Sequence, residues 1–205
     1  MAIVAQKPTG AGVQYIECDV EGSAKAGWNC CQLEQFCNKL MELNEQAGEG
    51  DLGSVRGQPN YDDLRGEGND AAEEYRDVWN QLADDGTLNA IDDQAPHLMR
   101  DKFFADCAYE QSRATVRPPP APQDTNFHVG PEMQPDHEHE LQFGGDTAMG
   151  DLMNLRWLDT SVNRSLGSTL RGHDPATYPG GINADCCPAD ETYCAGKTPD
   201  DPVVT

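Results

Sequence analysis

Four prolines stand within one five-residue segment, at positions 118, 119, 120 and 122. Proline lacks a backbone N–H and fixes its own φ, so no helix interior can include this segment. A run of this kind is a stiff, extended spacer. We therefore predict a Pro-rich linker over residues 118–125, preceded by an acidic, mainly helical N-terminal region over residues 1–117.

Apolar periodicity predicts the elements of that N-terminal region. Residues 28–46 carry apolar side chains at three- and four-residue steps, with Asn29 as a candidate N-cap and Gly48 as a candidate stop. The same reasoning predicts further helices over residues 70–83 and 96–113 and a loop over the Gly- and Asp-rich residues 47–69. Residues 1–26 are expected to be irregular or to contain one short strand over residues 13–18.

Beyond the linker, residues 136–167 read DHEHELQFGGDTAMGDLMNLRWLDTSVNRSLG. Asp136 and Asn163 offer the oxygen donors that a hard divalent cation prefers. His137 has a side chain whose ordinary pKa lies near neutrality, so it can take a proton from water. These groups together are the minimum set for metal-assisted cleavage of a phosphodiester.

This stretch resembles the HNH endonuclease motif, a β-hairpin and a helix that hold one metal ion (the ββα-metal fold), as found in nuclease domains of bacterial toxins. The matching residues are the pair Asp136-His137, the turn Gly144-Gly145, the block Asn154-Leu155 with Leu158, and the closing Asn163, Arg164, Ser165 and Gly167. The cysteine pairs that hold a structural zinc in many family members are missing, since Asp159 and Val162 stand in their places. Glu140 stands where a proline is frequent.

The resemblance implies a role for each matching polar residue. His137 and Asn154 would form the catalytic part of the site, with His137 as the general base and Asn154 bracing the loop beside it. Asp136 and Asn163 would be the metal ligands. The cofactor would be a divalent ion, Mg²⁺ or Mn²⁺, with Zn²⁺ or Ni²⁺ as alternatives.

Three more residues are candidates for an additional ligand or a phosphate contact. His139 lies two residues after His137, so on a strand both would face the same side. His173 follows a helix predicted over residues 161–170, and Arg164 lies within it. The alternatives are ordinary structural roles: a surface turn for the Asp-His pair, a satisfied structural histidine for His139, and a helix N-cap for Asn163.

The formal net charge of −22 argues against a partner that is a polyanion. A bound divalent ion and arginines gathered on one face would offset part of it. The sequence contains no helix with a basic face for reading bases, so we predict cleavage of DNA without sequence preference.

The chain has eight cysteines, at positions 18, 30, 31, 37, 107, 186, 187 and 194. An even number in a chain of this size predicts disulfides and an oxidising compartment. Free buried thiols and a metal site are the alternatives, although no Cys-x-x-Cys spacing supports a metal. No apolar run is long enough for a membrane span, and the N-terminal residues lack the pattern of a signal peptide.

The predicted class is α+β, with the helical region followed by an HNH-type module over residues 126–175 and an irregular, cysteine-containing tail over residues 176–205.

The predicted function is a metal-dependent HNH-type endonuclease that acts on DNA. We expect an exported antibacterial toxin acting in a target-cell cytoplasm, with an immunity protein or a secretion-system carrier or adaptor as partner and no membrane insertion. A cytoplasmic nuclease is the alternative location. The alternative function is a non-catalytic, acidic, disulfide-stapled structural or interaction protein, such as a virion or surface component.

Overall fold

The computed structural model of the protein describes residues 14–16, 27–49, 61–88, 96–122, 124, 126–143, 154–173, 177–184, 186–187 and 194–203. Over these residues the chain forms helices and two small two-stranded sheets, which confirms the α+β class. The chain divides into two compact units. The central unit comprises residues 56–160, and the terminal unit comprises residues 1–55 and 161–205.

The terminal unit is built around helix α1, Cys30–Glu49. Strand β1, Gln14–Ile16, pairs in parallel with strand β4, Ile182–Ala184. Helix α4, Thr160–Leu170, starts at the last residue of the central unit and continues into the terminal unit. The interior of the terminal unit contains the buried side chains of Trp28, Leu33, Phe36, Leu40, Leu43, Val162, Leu166, Leu170 and Ile182.

A reciprocal capping box starts α1. The side-chain oxygen of Asn29 accepts the Gln32 N–H at 2.9 Å, and the Gln32 side chain accepts the Asn29 N–H at 3.0 Å. Such a pair satisfies two backbone donors that helix geometry leaves without partners. The sequence-based assignment of Asn29 as the N-cap is therefore confirmed.

Residues 194–203 also contact the start of α1. The N–H groups of Cys30 and Cys31 donate to the carbonyls of Asp201 and Pro199, each at 3.0 Å. One disulfide, Cys30–Cys194, ties the same segment to the helix. The C-terminal segment is thus part of the terminal unit's fold, because it satisfies helix donors and is bonded to the helix.

Disulfides account for the described cysteines. Cys37 is bonded to Cys187. Cys31, Cys107 and Cys186 are also disulfide-bonded, and none of the described cysteines is free. The prediction of disulfides is confirmed for these residues, while Cys18 lies outside the described part of the chain.

The central unit packs helices around an aromatic cluster. Its elements are helix α2 (Tyr61–Asp84), a 3₁₀ helix (Pro96–Lys102), helix α3 (Asp106–Thr115), strand β2 (Met133–His137), a second 3₁₀ helix (Leu141–Phe143) and strand β3 (Leu155–Asp159). The aromatic cluster comprises Tyr75, Trp79, Phe103, Tyr109, Phe127 and Trp157, whose neighbouring ring centroids lie 5.3–6.5 Å apart. Edge-to-face and offset aromatic pairs of this kind stabilise a core beyond their buried area.

The prediction of a loop over residues 47–69 is wrong for those residues of this range that the structure describes. Helix α1 continues to Glu49, and α2 begins at Tyr61. Gly66 and Gly68 suggested a loop, but both lie within α2. A Cβ at Gly68 would collide with Leu141 Cδ1, so this glycine permits a close approach between α2 and the second 3₁₀ helix.

The single helix predicted over residues 96–113 is also wrong. The segment forms a 3₁₀ helix and then α3, with a break at residues 103–105. At the break the Phe104 N–H donates to the Trp157 carbonyl at 3.2 Å, and Phe103 forms a β-bridge with Trp157. A backbone hydrogen bond to a distant strand replaces the local helical hydrogen bond at this break. Apolar periodicity could not predict the break, because it reports only on neighbouring residues.

The Pro-rich segment lies inside the central unit. The Arg113 guanidinium donates to the carbonyls of Pro120, Ala121 and Pro122, and it lies 5.4 Å from the Tyr109 ring centre. These bonds hold the described part of the segment against α3. The boundaries between the two compact units follow residues 55 and 160. These boundaries differ from those of the segments expected from sequence, which were 1–117, 118–125, 126–175 and 176–205.

Within the described residues, no helix combines the length and the apolar character that a membrane span requires.

Candidate functional site

The antiparallel pair β2–β3 carries the residues of the Asp-His block. In its register Asp136 lies opposite Arg156, and His137 lies opposite Leu155. Residues opposite one another share a face of the sheet, whereas adjacent residues of a strand point to opposite faces. Asp136 and Arg156 therefore share one face, and His137 belongs to the other.

The His137 face lies against helix α2. His137 is 9% exposed, and its ring approaches α2 so closely that a Cβ on Gly68 would lie 3.4 Å from His137 Cε1. The same face carries Leu155 and Trp157, which are fully buried. This packing fixes the position of the imidazole ring.

Asn154 binds the backbone that follows His137 at two points. Its carbonyl accepts the Glu138 N–H at 2.9 Å, and its side-chain Oδ1 accepts the His139 N–H at 3.0 Å. The first bond extends the strand pairing by one residue, and the second holds the turn that leaves β2. Asn154 thus restrains the chain directly beside His137.

An ion pair lies on the Asp136 side of the sheet. Arg156 Nε lies 2.8 Å from Glu138 Oε1, and both side chains are 28% exposed. The Arg156 guanidinium also lies 5.8 Å from the Phe104 ring centre. This face therefore combines two carboxylates, Asp136 and Glu138, with one arginine.

A second arginine supports β2 from the core. Arg76 of α2 donates to the Met133 carbonyl, and its guanidinium lies 5.0 Å from the Trp157 ring centre. Burial lowers the pKa of Arg76, while the charges of Glu132 and Asp77 raise it. Because the guanidinium bonds the first residue of β2, it fixes this strand against α2.

His139 is held by its backbone bond to Asn154. Its ring Nε2 is buried and has no hydrogen-bond partner among the described residues. His128, by contrast, is half exposed and bonds Asn80 and Asp84 near the end of α2, at 3.2 and 2.8 Å. His128 therefore has a surface role within the central unit.

The closing block of the motif belongs to α4 in the terminal unit. Asn163 is half-buried in the first turn of α4, and Arg164 is exposed. The helix begins at Thr160, one residue before the predicted start. The alternative assignment of Asn163 as an N-cap is therefore wrong, because an N-cap precedes the first helical residue.

His173 has partners within the terminal unit. It is 2% exposed, and its Nδ1 lies 2.7 Å from Gln14 Oε1. Its ring is stacked on Tyr178 with a centroid distance of 6.0 Å. These contacts attach β1 to the segment after α4, so His173 has a packing role in the terminal unit.

The structure thus places Asp136 and His137 on opposite faces of strand β2, with His139 and Asn154 directly beside the ends of β2 and β3. Asn163, Arg164 and His173 belong to the terminal unit. The meeting of Asp136 and Asn163 at one ion stays a prediction. The turn Gly144-Gly145 lies outside the described residues. Across the described chain, the one group of three His, Cys, Asp or Glu donors close enough to share a metal ion is Cys37, Cys186 and Cys187.

Sequence reasoning missed two neighbours of the candidate site. The signal for Arg156 is the β-hairpin that the resemblance implies, but only the observed register sets Arg156 opposite Asp136. Gly68 could not be found from sequence, because its contact with Leu141 and His137 joins parts of the chain about 70 residues apart and has no local pattern.

Comparison with known proteins gives no significant match to a protein-family model, a curated protein or a solved structure.

Proposed function

We propose that this protein is a metal-dependent HNH-type endonuclease that hydrolyses DNA phosphodiester bonds. The observation that carries the proposal is the double attachment of Asn154 to the two residues after His137. It is the contact that the resemblance implies for this asparagine. The order of β2, β3 and α4 along the chain also agrees with a ββα module.

In the proposed reaction His137 takes the proton of the attacking water. The packing of His137 against α2 and the bonds of Asn154 limit the movement of the imidazole, which lowers the entropic cost of reaching the reactive geometry. Asp136 and Asn163 would hold the divalent ion, since a carboxylate and an amide oxygen suit Mg²⁺ or Mn²⁺. When bound, such an ion neutralises charge that develops on the phosphate.

The proposed setting is an exported antibacterial toxin that acts in a target-cell cytoplasm and is held inactive by an immunity protein. The disulfides support passage through an oxidising compartment, where such bonds form and persist. The net charge of −22 fits a basic inhibitor surface, which would be attracted to the protein over long range.

The test is cleavage of supercoiled plasmid DNA with Mg²⁺ or Mn²⁺, with and without EDTA. We expect nicking and then degradation, which EDTA stops. His137→Ala should lower the rate by about 10²–10⁴-fold, the usual contribution of a general base. His128→Ala, which removes a half-exposed histidine on the same unit, is the matched control and should keep the wild-type rate.

Because His137 is buried, His137→Gln should be measured beside His137→Ala, with thermal unfolding of each variant. A folded His137 variant that cuts DNA at the wild-type rate would remove His137 from the mechanism. Loss of activity in His128→Ala to the same extent would contradict a specific role for His137.

A second candidate function is a non-catalytic, disulfide-stapled structural or interaction protein. Two observations favour it: the described cysteines are all bonded, and strand alternation separates Asp136 and His137 onto opposite faces. Under this proposal, folded wild-type protein leaves plasmid DNA intact with every divalent ion tested.

A further inference from the structure

Three sulfur atoms meet at the contact between α1 and the end of β4. The Sγ atoms of Cys37, Cys186 and Cys187 all lie within 4.8 Å of one another. Cys187 is bonded to Cys37, and Cys186 is bonded elsewhere. The vicinal pair thus presents two sulfurs to the single sulfur of Cys37.

Regular structure holds these sulfurs in place. Cys37 lies within the long helix α1, and the Cys187 N–H donates to the Ala184 carbonyl at 3.1 Å, in a turn that directly follows β4. Cys37 Sγ also lies 3.9 Å from the Cys186 carbonyl. The Asn44 side chain accepts the Ile182 N–H at 2.7 Å, which fixes α1 against β4 without any sulfur.

We propose that, once these disulfides are reduced, Cys37, Cys186 and Cys187 form a binding site for one soft, thiolate-preferring metal ion such as Zn²⁺. Tetrahedral zinc has Zn–S bonds of about 2.3 Å, which requires sulfurs about 3.8 Å apart. The sulfurs of Cys37 and Cys187, bonded in the oxidised chain, must move apart by about 2 Å after reduction to reach that separation. The Cys186 sulfur already lies within 4.8 Å of both. Cys186 and Cys187 are buried, and Cys37 is half-buried. A water molecule would supply the fourth ligand of a tetrahedral ion.

The chemistry balances with a dithiol as reductant. One dithiol transfers two electrons and two protons to Cys37–Cys187 and is itself oxidised to a disulfide. A second dithiol reduces the bond that holds Cys186 in the same way. The three thiols then lose their protons as the metal–sulfur bonds form.

This proposal is independent of nuclease activity. It predicts two states of the terminal unit: one stapled by disulfides under oxidising conditions and one in which a metal ion replaces the staple after reduction. A chain that passes from an oxidising to a reducing compartment would encounter both conditions.

The test is titration of the reduced full chain with Co²⁺ in the presence of a non-thiol reductant, measured by thiolate-to-cobalt charge-transfer absorption and by native mass spectrometry. We expect one ion per chain, displaced by Zn²⁺. Oxidised protein should show no charge-transfer band. Far-UV circular dichroism of the reduced chain, with and without metal, reports whether binding preserves the helices.

Two serine variants form the matched pair. Cys186→Ser removes a sulfur of the cluster, and Cys194→Ser removes a cysteine of the Cys30–Cys194 disulfide, outside the cluster. Since loss of a group that only orients a ligand weakens metal binding by roughly 10–100-fold, Cys186→Ser should weaken it at least as much. Cys194→Ser should bind as tightly as wild type.

Two results would overturn the proposal. One is a reduced wild-type chain without a cobalt–thiolate band. The other is equal weakening in Cys186→Ser and Cys194→Ser, which would show that metal binds to cysteines of an unfolded chain rather than to this cluster.

Discussion

At the residue scale, the site depends on how Asn154 restrains its neighbours. The Asp-His pair and Asn154 could be identified from sequence because their chemistry and order are local. The ion pair of Arg156 with Glu138 could not be identified without the strand register. The residue types were enough to predict the candidate metal ligands and the general base. The directions in which their side chains point could be read only from the structure.

The Asn154 bond gives a residue-scale prediction. Asn154→Ala leaves the His139 N–H without its acceptor and should lower stability by about 1–3 kcal/mol, measured by denaturant unfolding. It should also lower plasmid cleavage by about 10–100-fold, as loss of a group that orients a functional side chain does. Asn154→Asp retains an oxygen at the same position and should recover part of both losses.

The pH profile separates positioning from simple stabilisation. Because a general base acts in its unprotonated form, wild-type cleavage should rise with pH through one ionisation. If Asn154 positions His137, the cleavage rate of the Asn154→Ala variant should be lower and should rise over a different pH range. Full activity and an unchanged pH profile in a folded Asn154→Ala protein would show that the hydrogen bonds of Asn154 do not contribute to function.

At the element scale, local pattern predicted α1 and α4 to within a few residues. Of the two alternatives for the N-terminal residues, the short strand over residues 13–18 agrees with β1. It failed where a distant contact overrides local preference. The break before α3 exists because Phe103 and Phe104 pair with Trp157 of β3. The early start of α2 was hidden because its glycines resemble those of a loop.

The two glycines of α2 provide a matched test of that packing. A Cβ at Gly66 would meet nothing within 4 Å, whereas a Cβ at Gly68 would collide with Leu141. Gly66→Ala should therefore gain up to about 1 kcal/mol of helix stability. Gly68→Ala should be about 1–3 kcal/mol less stable than Gly66→Ala, because Leu141 must move in a packed interior.

Thermal or urea unfolding of both variants measures this difference. Equal stabilisation by the two alanines would mean that α2 does not approach Leu141 and His137 as closely as described. The comparison cancels helix propensity, since both positions lie within the same helix.

At the scale of the whole molecule, disulfides join distant parts of the chain. Cys30–Cys194 and Cys37–Cys187 span 164 and 150 residues and hold the two chain ends in one unit. The even cysteine number predicted bonding but could not give the connectivity, which depends on the folded positions. For the same reason the sequence could not show that one unit is built from both ends of the chain.

Removing one of these disulfide bonds should destabilise the protein strongly. The double variant Cys30→Ser, Cys194→Ser should lose about 2–5 kcal/mol, since the bond restricts a very long loop in the unfolded chain. Denaturant unfolding under oxidising conditions measures the loss. An unchanged midpoint would contradict a structural role for this bond.

The central claim is that Asp136 and Asn163 meet at one divalent ion beside His137. Anomalous diffraction from a crystal grown with Mn²⁺ tests it directly. We expect one manganese ion about 2.0–2.6 Å from an oxygen of each of the two side chains, the range over which proteins bind hard divalent cations. A manganese ion that contacts only one of them, or that binds at a different place, would contradict it.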